Sequence, residues 1–219
     1  MSRTATYGGY EVCIYPLDNV GITADPNSAN HVVTGITNTG IWDNGWHNSI
    51  HDPLYAPCTM ELVVNCGDSA NTQLWRSVDP VWIPGSANPE YVSFSFSHSN
   101  TLYYTTAGTQ ISQGTHFYDT GDAGLGSGPH VHMILYLGMR TSMFPVGSNP
   151  NGYGNIWYSP NPPNSIADMF YLLNDQTISA SWGLGWQYWA GSPTPGTMDF
   201  ISLWMAIRKR KKGGAILWV

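Results

Sequence analysis

Short β-prone runs, each cut off by glycine, proline or asparagine, constrain this chain more than any other feature. Val12–Tyr15 is closed by Pro16, and Met60–Val64, Gln73–Arg76, Val92–Phe96, Leu102–Thr105, Ile111, Thr115–Tyr118 and Val131–Leu137 follow at short intervals. Strands at such spacing, separated by turn residues, point to an antiparallel sandwich or barrel. Composition agrees. Charged residues are only 10% of the chain, while 24 Gly and 15 Pro punctuate it, which disfavours long solvent-facing helices. The expected class is all-β. One helix is expected, over Ser165–Leu173, started by Asn164 or Ser165. Residues 18 to 53 and 140 to 165 are rich in Asn, Gly, Thr and Pro and read as long loops. In Val92–Phe96 the apolar residues alternate with Ser, as in a half-buried strand with Val92, Phe94 and Phe96 inward.

Charge and cysteine usage exclude several classes of function. The net charge is -6, although five of the 8 basic residues stand together as Arg208–Lys212, so the rest of the chain is acidic and offers no nucleic-acid-binding face. Cys13, Cys58 and Cys66 are too few for a disulfide framework and lack zinc-finger spacing. Reduced, buried thiols are expected, with a Cys58–Cys66 pair across a hairpin as the other possibility. No run is long enough to span a membrane, and Met1–Leu17 shows no secretory signal. A Gly-x-Ser-x-Gly elbow and a phosphate-binding glycine loop are both missing. The chain divides into a β domain, residues 1 to 190, and an extension, residues 191 to 219, with an apolar octet, the basic run and an apolar end.

The chemistry concentrates at Gly126-Ser127-Gly128-Pro129-His130-Val131-His132, which feeds the apolar strand Met133–Leu137. Side chains alternate along a strand, so His130 and His132 point the same way. Two imidazoles side by side at a strand's start suit a metal ligand and a catalytic neighbour. Upstream lie the strand Phe94–Ser97 with His98 at its end, then Gly108-Thr109-Gln110-Ile111-Ser112-Gln113-Gly114, Phe117-Tyr118 and Gly121.

From Phe94 to His132 this order resembles the core of the lysostaphin/LytM-type zinc endopeptidases, with their strand-end His-x-Ser, Gly-x-x-Ile-x-x-Gly and Gly-Pro-His-x-His segments. Tyr55–Cys58, Ser77–Val81 and Asn151–Trp157 resemble the bacteriophage and prophage branch. The resemblance implies a compact antiparallel core called a duplicated hybrid motif. It also implies a zinc ion held by an early His, an Asp and the second His of His-x-His, here His132, with His98 and His130 as the catalytic pair. The implied activity is hydrolysis of cell-wall peptides by a phage-associated peptidoglycan hydrolase, free or carried on a virion. Peptidoglycan is the implied partner, and the extension is expected to meet phage tail proteins or an anionic surface.

Two registers compete for the early ligands. In Asn30–Asn38, His31 is a ligand and Asn38 stands where the family has Asp; in His47–His51, His47 is the ligand and the carboxylate is again replaced. The first is preferred, because phage-type members place a long loop before Tyr-Ala-Pro. Either way the expected set, His31, Asn38 and His132, lacks a charged oxygen donor, and zinc is expected to bind weakly. Asp43 or Asp52 could substitute. The missing carboxylate leaves a second reading open: an inactive member of the family that serves as a structural or adsorption protein of a phage tail tip.

Overall fold

The structure, a computed structural model, describes residues 3–25, 31, 41–45, 51–124, 128–142, 162–180 and 185–193. Its strands are β1 (Thr6–Tyr7), β2 (Tyr10–Glu11), β3 (Asn19–Ala24), β4 (Ile41–Asn44), β5 (Pro53–Tyr55), β6 (Met60–Asn65), β7 (Gln73–Ser77), β8 (Val92–Ser97), β9 (Gln110–Ile111), β10 (His116–Asp119), β11 (Val131–Leu137) and β12 (Thr177–Ala180). Eight of them form one sheet in the order β12-β3-β4-β11-β8-β7-β6-β9, and β1/β2 and β5/β10 make two small ribbons. Every pairing is antiparallel except β12 with β3. The all-β class holds.

Strand alternation sorts the sheet's side chains onto two faces. On one, Trp42, Trp75, Phe94, Phe96, Val131, Met133 and Leu135 join the main core with Tyr15, Leu54, Phe117 and Phe170. On the other, Ile41, Leu74, Ile134 and Tyr136 form a smaller cluster. β8 is not half-buried as its alternation suggests. It runs between β11 and β7, and Ser93, Ser95 and Ser97 are covered along with Val92, Phe94 and Phe96.

Three further expectations change. Residues 18 to 53 are not all loop: β3 and β4 insert Val20, Ile22, Ile41 and Trp42 into the cores, and Asn44 ties the pair together by accepting from Gly21 N–H at 3.1 Å and donating to Tyr15 Oη at 2.8 Å. Leu102–Thr105 forms no strand but crosses the core edge, with Tyr104 against Trp75. Ser165–Leu173 is helical only at Ile166–Asp168, a 3-10 turn capped by the Ser165 hydroxyl. Ile166, Ala167, Met169, Phe170, Tyr171 and Leu172 are all buried, so this segment has no polar face to give to solvent. Its main chain instead pairs outward, Tyr171 N–H with Cys13 and Leu172 N–H with Gln187.

Val12–Tyr15 runs extended, but its amides are shared among Ala5, Trp82, Pro57 and Tyr171 instead of one partner strand. Cys13 and Cys58 are buried thiols and Cys66 is half-buried. Trp186 packs edge-on against Tyr15 and Trp189 against Tyr171, so both indoles pack into the fold.

Candidate metal centre

The site is assembled by sheet register at one end of the smaller face. β11 lies between β4 and β8, which sets His132 directly opposite Asp43 on one side and Ser97 on the other. One residue before β11, His130 pairs with Gly121, each amide donating to the other's carbonyl at 3.1 and 2.9 Å. One residue beyond β8, His98 turns back with a φ of 88°, in the left-handed region. That turn lets its amide donate to Ala70 at 2.7 Å and its ring lean towards His130 and His132, with centroids 4.9 and 5.8 Å away. His31 completes the group, buried, with its ring 5.0 Å from that of His132.

Asp43 is the hub. Its Oδ1 lies 2.8 Å from His132 Nδ1, and its Oδ2 lies 3.2 Å from His31 Nε2 and 3.7 Å from His130 Nε2. One donor atom from each of His31, Asp43 and His132 falls within 4.8 Å of the others, the only such group of three among the described residues. Burial tends to raise the Asp43 carboxyl, but the His132 and His31 imidazoles outweigh it and hold it well below the usual carboxylate range. Burial pushes the His132 imidazole down, against the pull of Asp43. Burial also takes His98 from its ordinary 6.5 to about 4, against its bond to Ala123. At neutral pH, then, Asp43 is charged and His98 and His132 are not.

Main-chain carbonyls fix the rings. His31 donates Nδ1–H to Asp25 O at 2.8 Å, His98 to Ala123 O at 2.9 Å and His130 to Gly128 O at 3.1 Å. A carbonyl only accepts, so each of these rings carries its proton on Nδ1, and when neutral its Nε2 is a bare lone pair. For His31 and His130 that lone pair faces the Asp43 carboxylate. Lone pairs converging on a buried anion repel one another unless a cation lies among them. Histidines oriented through their second nitrogen are what a metal site requires, and two imidazoles with one carboxylate form a donor set suited to zinc. His31, Asp43 and His132 would hold the ion, with His98 and His130 beside it.

Two glycines keep the walls close. A Cβ on Gly45 would lie 2.7 Å from the Cβ of His130 and 3.1 Å from Pro129 O. On Gly121 it would collide with Asn100 Oδ1 and His98 O. The loops carrying His98 and Gly121 are further joined by Asn100, which donates to Asp122 Oδ1 and accepts from Asp122 N–H.

Of the residues singled out from sequence, His31, His98, His130 and His132 come together here. Asn38 and His47 lie outside the described residues. The oxygen donor beside the two histidines is Asp43, which sequence reading named only as a substitute; Asp52 instead pairs its main chain with Thr120. The local signal for Asp43 was its place in the isolated run Ile41-Trp42-Asp43-Asn44.

No protein-family model matches the chain, and no curated protein is significantly similar to it. Among solved structures it is similar to a zinc-containing peptidase from Vibrio cholerae, with 19% identity and a TM-score of 0.43 over 58% of this chain and 40% of that one. It is also similar to a Pseudomonas aeruginosa protein described as a candidate M23 peptidase, with 14% identity and a TM-score of 0.37 over 59% of this chain and 47% of that one. The chain thus spans less than half the length of either.

Proposed function

We propose that this chain is a zinc-dependent endopeptidase that cleaves peptide bonds of bacterial peptidoglycan in a bacteriophage setting. The observation that carries the catalytic part is Asp43 between His31 and His132, with His98 and His130 at its edge. The wall substrate and the phage setting rest on the sequence resemblance alone, as does the expectation that the C-terminal extension binds virion proteins. Bound zinc supplies Lewis acidity, polarising a carbonyl and making water acidic near neutral pH.

The protein's own groups then have distinct tasks. His31, Asp43 and His132 hold the ion. His130, about one-seventh exposed, has its Nε2 inward and is placed to take up a proton there. His98 is neutral and pinned through Nδ1–H to Ala123, so its Nε2 is also free to accept a proton or, once protonated, to donate a hydrogen bond to a developing oxyanion. The second reading, an inactive tail-tip protein, rests on a missing carboxylate; Asp43 beside His31 and His132 supports the hydrolase instead.

The test is zinc content and wall hydrolysis measured together. The purified protein is expected to hold one tightly bound zinc and to release new amino groups from peptidoglycan. His132→Ala should lose both, and His130→Ala should keep the zinc and lose hydrolysis. A protein that takes up no zinc, or a His130→Ala variant as active as the parent, would overturn the reading.

A further inference from the structure

A second histidine–carboxylate cluster lies on the same rim and takes no part in the site above. Asp119, at the end of β10, has a side chain only 5% exposed. His116 donates Nε2–H to its Oδ1 at 2.6 Å, and the Tyr103 hydroxyl donates to its Oδ2 at 2.6 Å. His51 Nδ1 lies 3.9 Å from that same Oδ2. The His116 ring rests 4.6 Å from that of Tyr103, and the His51 amide donates to Thr120 O at 3.1 Å. Two residues past Asp119, Gly121 pairs with His130, so this cluster adjoins the first.

We propose that His51, Asp119 and His116, with Tyr103 beside them, form a second and weaker site for a divalent transition-metal ion of the zinc class. The donor set repeats that of the first site, two imidazoles around one buried carboxylate, and this combination favours zinc or copper over magnesium or calcium. Oxygen and nitrogen ligands about 2.0–2.1 Å from a tetrahedral zinc stand roughly 3.3 Å apart. The His116 and His51 separations from Asp119, 2.6 and 3.9 Å, bracket that value.

The two sites differ in two ways that set their order. The donors here do not all fall within 4.8 Å of one another, as those of His31, Asp43 and His132 do, so His51 must turn inward. Its side chain, 55% exposed, has room to move. An ion must also displace the short hydrogen bond between His116 Nε2 and Asp119 Oδ1. Both features make this the later site to fill.

The proposal is tested by titrating the metal-free full-length protein with zinc chloride by calorimetry and counting bound zinc after equilibrium dialysis. The parent is expected to bind two equivalents, one tight and one weak. His51→Ala and His116→Ala should each lose the weak one and keep the tight one, which also reports that the fold survives. His132→Ala should lose the tight one and keep the weak one. A parent that binds no equivalent beyond the one lost in His132→Ala, or a weak equivalent that persists in both His51→Ala and His116→Ala, would overturn the proposal. Failure of the tight equivalent alone would count against the catalytic reading and leave this one standing.

Discussion

Asp43 fixes the chemistry of the candidate centre because, among the described residues, it is the one charged group that His31, His130 and His132 share. Asp43→Asn keeps the shape and removes the charge, so zinc affinity should fall by at least about 100-fold, the upper range for loss of a supporting partner alone; competition against a coloured chelator would measure it. His98 gives a second prediction. Its imidazole is depressed to about 4 in the folded protein and returns to about 6.5 on unfolding, so between those values the unfolded chain binds more protons. Stability conferred by the neutral ring is therefore complete above about 6.5 and is lost as pH falls towards 4, and urea unfolding of the metal-free protein should show about 2 kcal/mol less stability at pH 5 than at pH 7 from this group. Replacing His98 by Gln should flatten that slope. At this scale the sequence was half legible. His98, His130 and His132 sit in a recognisable local order, whereas the Asp43–His132 pairing is created by β4 docking opposite β11, and no local spacing encodes it.

Elements position these residues through close approach as well as register. Gly45 and Gly121 lie where the β4 and β10 exits press against His130 and His98, and any side chain there must push one of them away. Gly45→Ala should cost about 1–3 kcal/mol of stability, the usual penalty for overpacking. It should lower the rate of hydrolysis while zinc content stays at one equivalent, because His130 moves and the three ion-holding groups do not; thermal unfolding, metal analysis and an amine-release assay would check the three parts. Strands with strong patterns, β6, β7, β8 and β11, were readable from alternation and β-branched content. β3 and β4 were not. β4 has only four residues, both are set among Asn, Gly and Thr, and what makes them strands is the buried Tyr15–Asn44–Gly21 hydrogen-bond network, a tertiary cause. Ser165–Leu173 misled for a related reason: six of its nine residues are buried, which leaves too few polar positions to mark a period.

The main core is one large aromatic cluster that spans the sheet and the β5/β10 ribbon. Phe94 stacks on Phe170 at 5.7 Å and lies 6.0 Å from Phe96, which meets Phe117 edge-on at 5.1 Å. Phe94→Ala should cost about 3–5 kcal/mol, enough to unfold much of the population at 37 °C in a protein of ordinary stability. The metal adds a stabilisation of another kind. Zinc at a hundred times its dissociation constant should contribute about 2.7 kcal/mol, so the melting temperature should drop on treatment with a chelator and recover when zinc is restored. The ends of the large sheet carry a further consequence. β12 runs parallel to β3 and hides one margin of the sheet, held in place by Gln176, whose amide donates to Tyr15 and Leu17. Shortening the chain to end before Gln176 would strip that cover and bare the hydrogen-bonding groups of Asn19–Ala24 to neighbouring molecules. A protein so trimmed, which also loses Trp186 and Trp189 from the core, should leave a sizing column as concentration-dependent aggregates.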